Sequence, residues 1–151
     1  MPAPGLIFFC ELDRAALSEL FSNAQIIVAL SELNAGVSLG IIDFSPERVE
    51  VVRRLNRAGI PVIAWQLLPQ EQGYWYHMCN AQQAFARYED FMRWSGEHDL
   101  QWSGIGIDIE PDINEFRYLL LNKRRLLGSI RQRGCGKKKL REAQSEYHRL
   151  V

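Results

Sequence analysis

The sequence predicts an α/β chain in which short parallel strands alternate with helices. Three observations carry that expectation. Four compact apolar runs, at 5–13, 37–44, 60–69 and 103–111, are each followed by a stretch with apolar residues at helical spacing. The runs are apolar on both faces, as strands covered by crossover helices must be. Polar residues gather where the runs end: Glu11 and Asp13, Asp43, Gln66, then Asp108 and Glu110. A parallel sheet with right-handed crossovers is built either as a doubly wound nucleotide-binding fold or as a (β/α)8 barrel. The turn after the first run, "CELDRAA", has no glycine and two acids that would repel a phosphate, which favours the barrel. A barrel typically takes about 250 residues, and this chain has 151 with four units. The expected fold is therefore a (β/α)4 half of a TIM-type barrel over residues 1–133, with a basic helical tail over 134–151.

The elements follow in order. "GLIFFCELD" reads as a buried strand ending in acids. Residues 14–34 carry Leu17, Leu20, Phe21, Ile27, Leu30 and Leu33 at helical spacing, with Asn23 as a break and Gly36 as a stop signal. "VSLGIIDF" is the second strand. Ser45-Pro46 supplies an N-cap and a first-turn proline to a helix that buries Val49, Val52 and Leu55 and ends at Gly59. "IPVIAWQLLP" is the third strand, and a longer loop leads to a helix near 80–98 with Ala84, Phe85, Tyr88, Phe91 and Met92 inward. "SGIGIDIEP" is the fourth strand, and Asp112 caps a helix over about 113–133 with Phe116, Leu119, Leu120, Leu127 and Ile130 inward. Leu140, Ala143, Tyr147 and Leu150 mark a helical stripe in the tail. The predicted strand order is 1-2-3-4, with the helices on the outer side.

Composition points to a soluble globular chain, 47% hydrophobic and 24% charged. No run reaches the roughly 20 apolar residues of a membrane span, and "LIFFC" lacks the basic flank of a signal peptide. Three widely spaced cysteines without a CxxC suit a reducing compartment, so the expected location is cytoplasmic. The net charge of zero hides a split: residues 1–116 hold 16 acids and 7 bases, residues 117–151 hold 2 acids and 11 bases. A basic tail with no interleaved aromatic apart from Tyr147 suits a solvated helix, or one lying on an acidic body, better than a nucleic-acid contact. No cofactor or metal is expected. An exposed inner sheet face and two open edges predict self-association, with a homo-oligomer as the candidate assembly.

The chemistry is expected at Asp108 and Glu110. Side chains two apart on a strand point to one face, and burying two carboxylates among helix-facing aliphatics would be costly. They are therefore expected to face the axis, near the mouth. A carboxylate pair divides labour between a proton donor and an anion, as glycoside hydrolysis requires. Glu11, Asp43, Gln66 and Trp65 at other strand ends, with Tyr74, Trp75 and Tyr76 of the loop "GYWYH", are the expected substrate-binding set. Flat rings suit sugar faces.

"SGIGIDIE" resembles the fourth-strand signature D-G-x-D-x-D-x-E of chitinase-like barrel glycosidases. The last Asp and Glu fall on Asp108 and Glu110, while the two earlier acids fall on Ser103 and Gly106. The resemblance implies Glu110 as general acid and Asp108 as the residue that orients the substrate's N-acetyl group or tunes that acid. A "DIE" strand some forty residues after "AGIPVIAW" is similar to muramidase-type barrels, and the wider string over residues 58–111 looks like bacterial barrel proteins without an assigned activity. Two other classes stand beside this one. Acids at strand ends suit a metal-dependent phosphodiesterase, but His77, His98 and His148 include none at the end of the first strand, where such barrels carry one. A truncated barrel with no activity of its own, serving as an interaction domain, is the other.

Overall fold

The computed structural model describes residues 4–77, 79–110 and 137–149. Its elements are β1 (Leu6–Cys10), α1 (Arg14–Ser22), α2 (Ala24–Glu32), β2 (Ala35–Ile41), α3 (Pro46–Arg57), β3 (Val62–Gln66), a 3-10 turn (Gln70–Gln72), α4 (Ala81–Glu97), β4 (Gly104–Ile107) and α5 (Lys137–His148). The four strands form one open parallel sheet in the order β1-β2-β3-β4, so the α/β architecture and strand order follow the sequence. The predicted helix over 113–133 lies outside the described residues. The chain divides into two compact units, residues 1–66 with 91–107 and residues 67–90 with 108–151.

The first unit holds the whole sheet. Register pairs Cys10 with Leu39, Leu39 with Ala64 and Ala64 with Ile105, and partners in a parallel ladder point to one face. Val37, Leu39, Ile41, Val62 and Ala64 on that face are buried. Helices α1 and α2 line a cavity together with Phe8, Cys10 and Val37, so this is the face they cover. The opposite face carries Ile7, Phe9, Ser38, Gly40, Ile63 and Trp65. There Phe9 and Trp65 meet edge to face at 5.5 Å, and the small Ser38 and Gly40 on the strand between them leave room for the two rings.

Local chemistry explains the helix boundaries. Asp13 caps α1 by accepting from the amides of Ala15 and Ala16, both at 2.9 Å. Asn23 is the C-cap of α1 and the N-cap of α2, which is the break its side chain predicts. Ser45 and Pro46 open α3, and Gly59 in the left-handed region (φ 70°) follows its end. Gly36 is a correction: it does not stop α2 but lies inside β2. Asn34, at φ 48°, makes the turn instead, since its short polar side chain tolerates that conformation. Gly36 serves close approach, because a Cβ there would sit 3.1 Å from the Pro61 carbonyl oxygen and 3.3 Å from Pro4.

The buried stripes of α1 and α2 are narrower than predicted, whereas α3 buries Val49, Val52 and Leu55 as expected, with Arg48 and Val51 besides. Leu17, Phe21 and Leu30 are buried, but Leu20 and Leu33 are exposed at the β1 edge, where the sheet ends. On α4 the inward residues are Ala81, Ala84, Phe91, Trp94 and Ser95, and Met92 is exposed. Phe44, Phe91, Trp94 and Trp102 form an aromatic cluster with ring centroids 5.1–6.3 Å apart. The Trp102 indole N–H donates to the Ser95 hydroxyl at 2.7 Å. Both tryptophans are thus packing residues, as their positions suggest.

The second unit is smaller. Leu68, Tyr76 and Ala84 form its buried cluster. The tail forms α5 with Ala143 buried, and the Arg149 guanidinium lies 3.9 Å over the Phe85 ring. At least one cation of the basic tail is therefore engaged in packing rather than free on a solvated face. Among the described residues, no helix is long and apolar enough to cross a membrane.

Candidate functional site

The candidate carboxylates lie in the second unit, in the extended segment that follows β4. Tyr76 forms an isolated parallel bridge with Ile109. The Tyr76 amide donates to the Asp108 carbonyl at 3.0 Å, and the Glu110 amide donates to the Tyr76 carbonyl at 3.0 Å. The loop "GYWYH" and the "DIE" segment are thus laced together through their backbones. Alternation along the extended chain puts Asp108 and Glu110 on one side and Ile109, 65% exposed, on the other. Asp108 is half-buried and Glu110 is exposed, so Glu110 is the outer acid.

One side chain holds the loop in place. Asn80 is buried and uses three of its hydrogen-bonding positions: its Nδ2 donates to the carbonyls of Gln72 and Trp75, each at 2.9 Å, and its Oδ1 accepts from the His77 amide at 2.8 Å. Gly73 (φ 101°) and Tyr74 (φ 64°) turn the chain, and the Leu68 amide closes the turn on the Tyr74 carbonyl at 2.8 Å. The three predicted aromatics then divide. Tyr76 is fully buried and belongs to the small core, whereas Tyr74 and Trp75 are half-buried, with rings 5.7 Å apart in an edge-on pair. Only the latter two keep ring surface for a ligand.

The other predicted residues lie in the first unit, where Trp65 and Gln66 point to opposite faces of the sheet. Glu11 is exposed at the rim of the apolar cavity beside β1. Trp65 lies on the face of Phe9, as above. Gln66 lies on the opposite face, in line with Val62 and Ala64, and is fully buried. Among the described residues neither polar atom of its amide has a hydrogen-bond partner. An unsatisfied buried amide costs about 1–3 kcal/mol, so Gln66→Met, which conserves volume, should raise stability by about 1 kcal/mol. A urea unfolding midpoint measures this. A lowered midpoint would mean that the amide has a role the hydrogen bonds of this structure do not record.

Asp43 is taken up by a residue the sequence reading missed. Arg48, fully buried on α3, donates from Nη1 to the Gly40 carbonyl at 2.7 Å and from Nη2 to the Leu12 carbonyl at 3.1 Å. Its Nε and Nη2 reach the two Asp43 carboxylate oxygens at 3.2 and 3.4 Å. One guanidinium thereby ties the loops after β1 and β2 to the start of α3. The signal was present: positions 48, 52 and 55 form an i, i+4, i+7 stripe, and a charge on a buried stripe needs a partner. Burial alone would raise the Asp43 carboxyl, but hydrogen bonds from Arg48 and Ser45 outweigh it and hold the group at about 2. An unfolded Asp titrates near 3.9 or so. The folded value is the lower one, so Asp43 contributes stability above about pH 4 that is lost as pH falls toward 2. Unfolding midpoints measured between pH 5 and 2 should show this loss, and Asp43→Asn should remove that part of the slope.

Cys10 is buried and its thiol is pushed up by that burial, which keeps it protonated and unreactive. Among the described residues no group of three or more His, Cys, Asp or Glu side chains is gathered as a metal ion would require. No family model, no curated protein and no solved structure matches this chain.

Proposed function

We propose that the chain is a glycoside hydrolase-like half-barrel that acts on a polysaccharide or amino-sugar glycan. Glu110 serves as general acid and Asp108 positions it. The observation that carries this reading is the backbone bridge between Tyr76 and Ile109, which ties the aromatic loop to the carboxylate segment within one compact unit. Exposed Glu110 is free to reach a glycosidic oxygen, and Tyr74 and Trp75 offer ring surface to a sugar. Asp108, half-buried two residues earlier, lies on the same side of the segment, where it can fix the Glu110 carboxyl or hold an N-acetyl group.

Hydrolysis of chitin and peptidoglycan oligosaccharides, with and without EDTA, tests the class. Cleavage that survives EDTA is the expected result. Activity abolished by EDTA and restored by Mg²⁺ would instead favour metal-assisted phosphodiester chemistry, to be followed with a phosphodiester substrate. An absence of cleavage on every glycan would leave a non-catalytic interaction domain.

A further inference from the structure

The sheet has two open edges, and we infer that they are closed by a second copy of this chain. In the described residues β1 pairs only with β2 and β4 only with β3, so each presents an unpaired row of backbone amides and carbonyls. Isolated sheets normally guard such edges with lysine, proline, a bulge or a covering segment. Neither "LIFFC" nor "GIGI" carries a charge or a proline. Both edges are flanked by open cavities, of about 440 Å³ beside β1 and about 550 Å³ beside β4. Leu20 and Leu33 line the first, and Met92 and Ile105 line the second. These are the helix and strand residues that the sheet leaves without a neighbour.

The occupant follows from the geometry of the edges. A partner that satisfies both at once must itself present two free parallel edges, one for β1 and one for β4. A second copy presents both. Setting β1 of one copy beside β4 of the other keeps every strand in one direction, and the two-fold axis repeats that seam on the far side. Each edge is used once, and the pair closes without further growth. Eight strands is also the number at which a barrel interior is filled by side chains alone. Phe9 and Trp65, on the face away from the helices, are the residues it would enclose.

The exposed surface is of the required size. Leu6, Phe8, Phe9, Met92, Ile105 and Ile107 are each between 36 and 73% exposed. At about 150–200 Å² for each large apolar side chain, they present on the order of 500 Å² per copy. Two copies would bury about 1,000 Å², where specific interfaces begin, before the backbone edges are added. The inference concerns the sheet alone and does not depend on the glycosidase reading.

Sedimentation velocity of the 151-residue chain over roughly two decades of concentration decides the matter without any substrate. The expected species has twice the 17.4 kDa chain mass. A monomer throughout would overturn the inference, and so would an open series of larger species, which a closed pair does not allow. Phe8→Lys and Ile105→Lys place a charge on opposite edges, and each should raise the dimer dissociation constant by roughly 10²–10³-fold. Mixing Phe8→Lys with Ile105→Glu instead leaves one seam unchanged and sets opposite charges together in the other, so that mixture should associate more tightly than either variant alone. With the variants folded by circular dichroism, an undiminished dimer in each, or no gain on mixing, would overturn the edge assignment.

Discussion

Glu110→Gln should lower turnover of a cleaved glycan by about 10²–10⁴-fold, the range over which general acids contribute. Glutamine keeps the size and hydrogen-bonding reach of glutamate but has no proton to give to a leaving oxygen. The change should leave the fold intact, because the contact that places residue 110 is its backbone amide on the Tyr76 carbonyl. The exposed side chain makes no claim on the core. The loss is therefore expected in kcat, with KM and the thermal midpoint nearly unchanged. Asp108→Asn, acting through Glu110, should lower kcat by a smaller factor with a similar KM. Steady-state kinetics with a melting curve for each variant makes the comparison, and full turnover by Glu110→Gln would remove that residue from the chemistry.

Arg48→Met should cost roughly 2–4 kcal/mol of stability. A fully buried guanidinium leaves two carbonyls without a donor at about 1–3 kcal/mol each, while the stranded Asp43 is half-exposed and partly solvated. Methionine fills much the same space, so the loss is not a cavity. It comes from what the guanidinium leaves behind: the carbonyls of Leu12 and Gly40 lose a donor, and Asp43 keeps its charge without a cation. Domains of this size are held by about 5–15 kcal/mol in all, so the variant would sit close to its unfolding threshold. The double change Arg48→Met with Asp43→Asn should recover part of the loss, because the stranded carboxylate goes with it. Urea midpoints at neutral pH for the four species give the coupling directly. A loss below about 1 kcal/mol in the single variant would show that water replaces the guanidinium at no great cost.

The architecture was legible because it depends on patterns the chain repeats. Four apolar runs with helical stretches between them specify parallel strands, and absence of a glycine-rich turn removes the main competitor. Caps were readable at Asn23 and Ser45, where a side chain acts on its own neighbours, whereas Asp13, read as a strand-end acid, proves to cap α1. What was not legible depended on residues distant in sequence. Gly36 looked like a helix stop because the proximity of Pro61, 25 positions on, has no local signature. Leu20, Leu33 and Met92 fit their helical stripes but lie beyond the outermost of the described strands. The same holds for the candidate site. The spacing of Asp108 and Glu110 announced a shared side, but nothing local announced that Tyr76 would lace onto that segment. Asp43 and Gln66 sat at strand ends as expected, yet one is engaged by Arg48 and the other faces the apolar side of the sheet.

The ring pair over β2 gives the molecule an optical handle. Trp65 is half-buried and touches Phe9, which is 73% exposed, whereas Trp94 and Trp102 are held in the aromatic cluster beside Phe44. The environment of Trp65 therefore changes with whatever covers the face opposite α1 and α2, while that of Trp94 is set by the packing of α4. With Trp75 and Trp102 both replaced by Phe, buried Trp94 is shielded and the quencher-accessible part of the emission reports chiefly on Trp65, so acrylamide becomes a gauge of how open that face is.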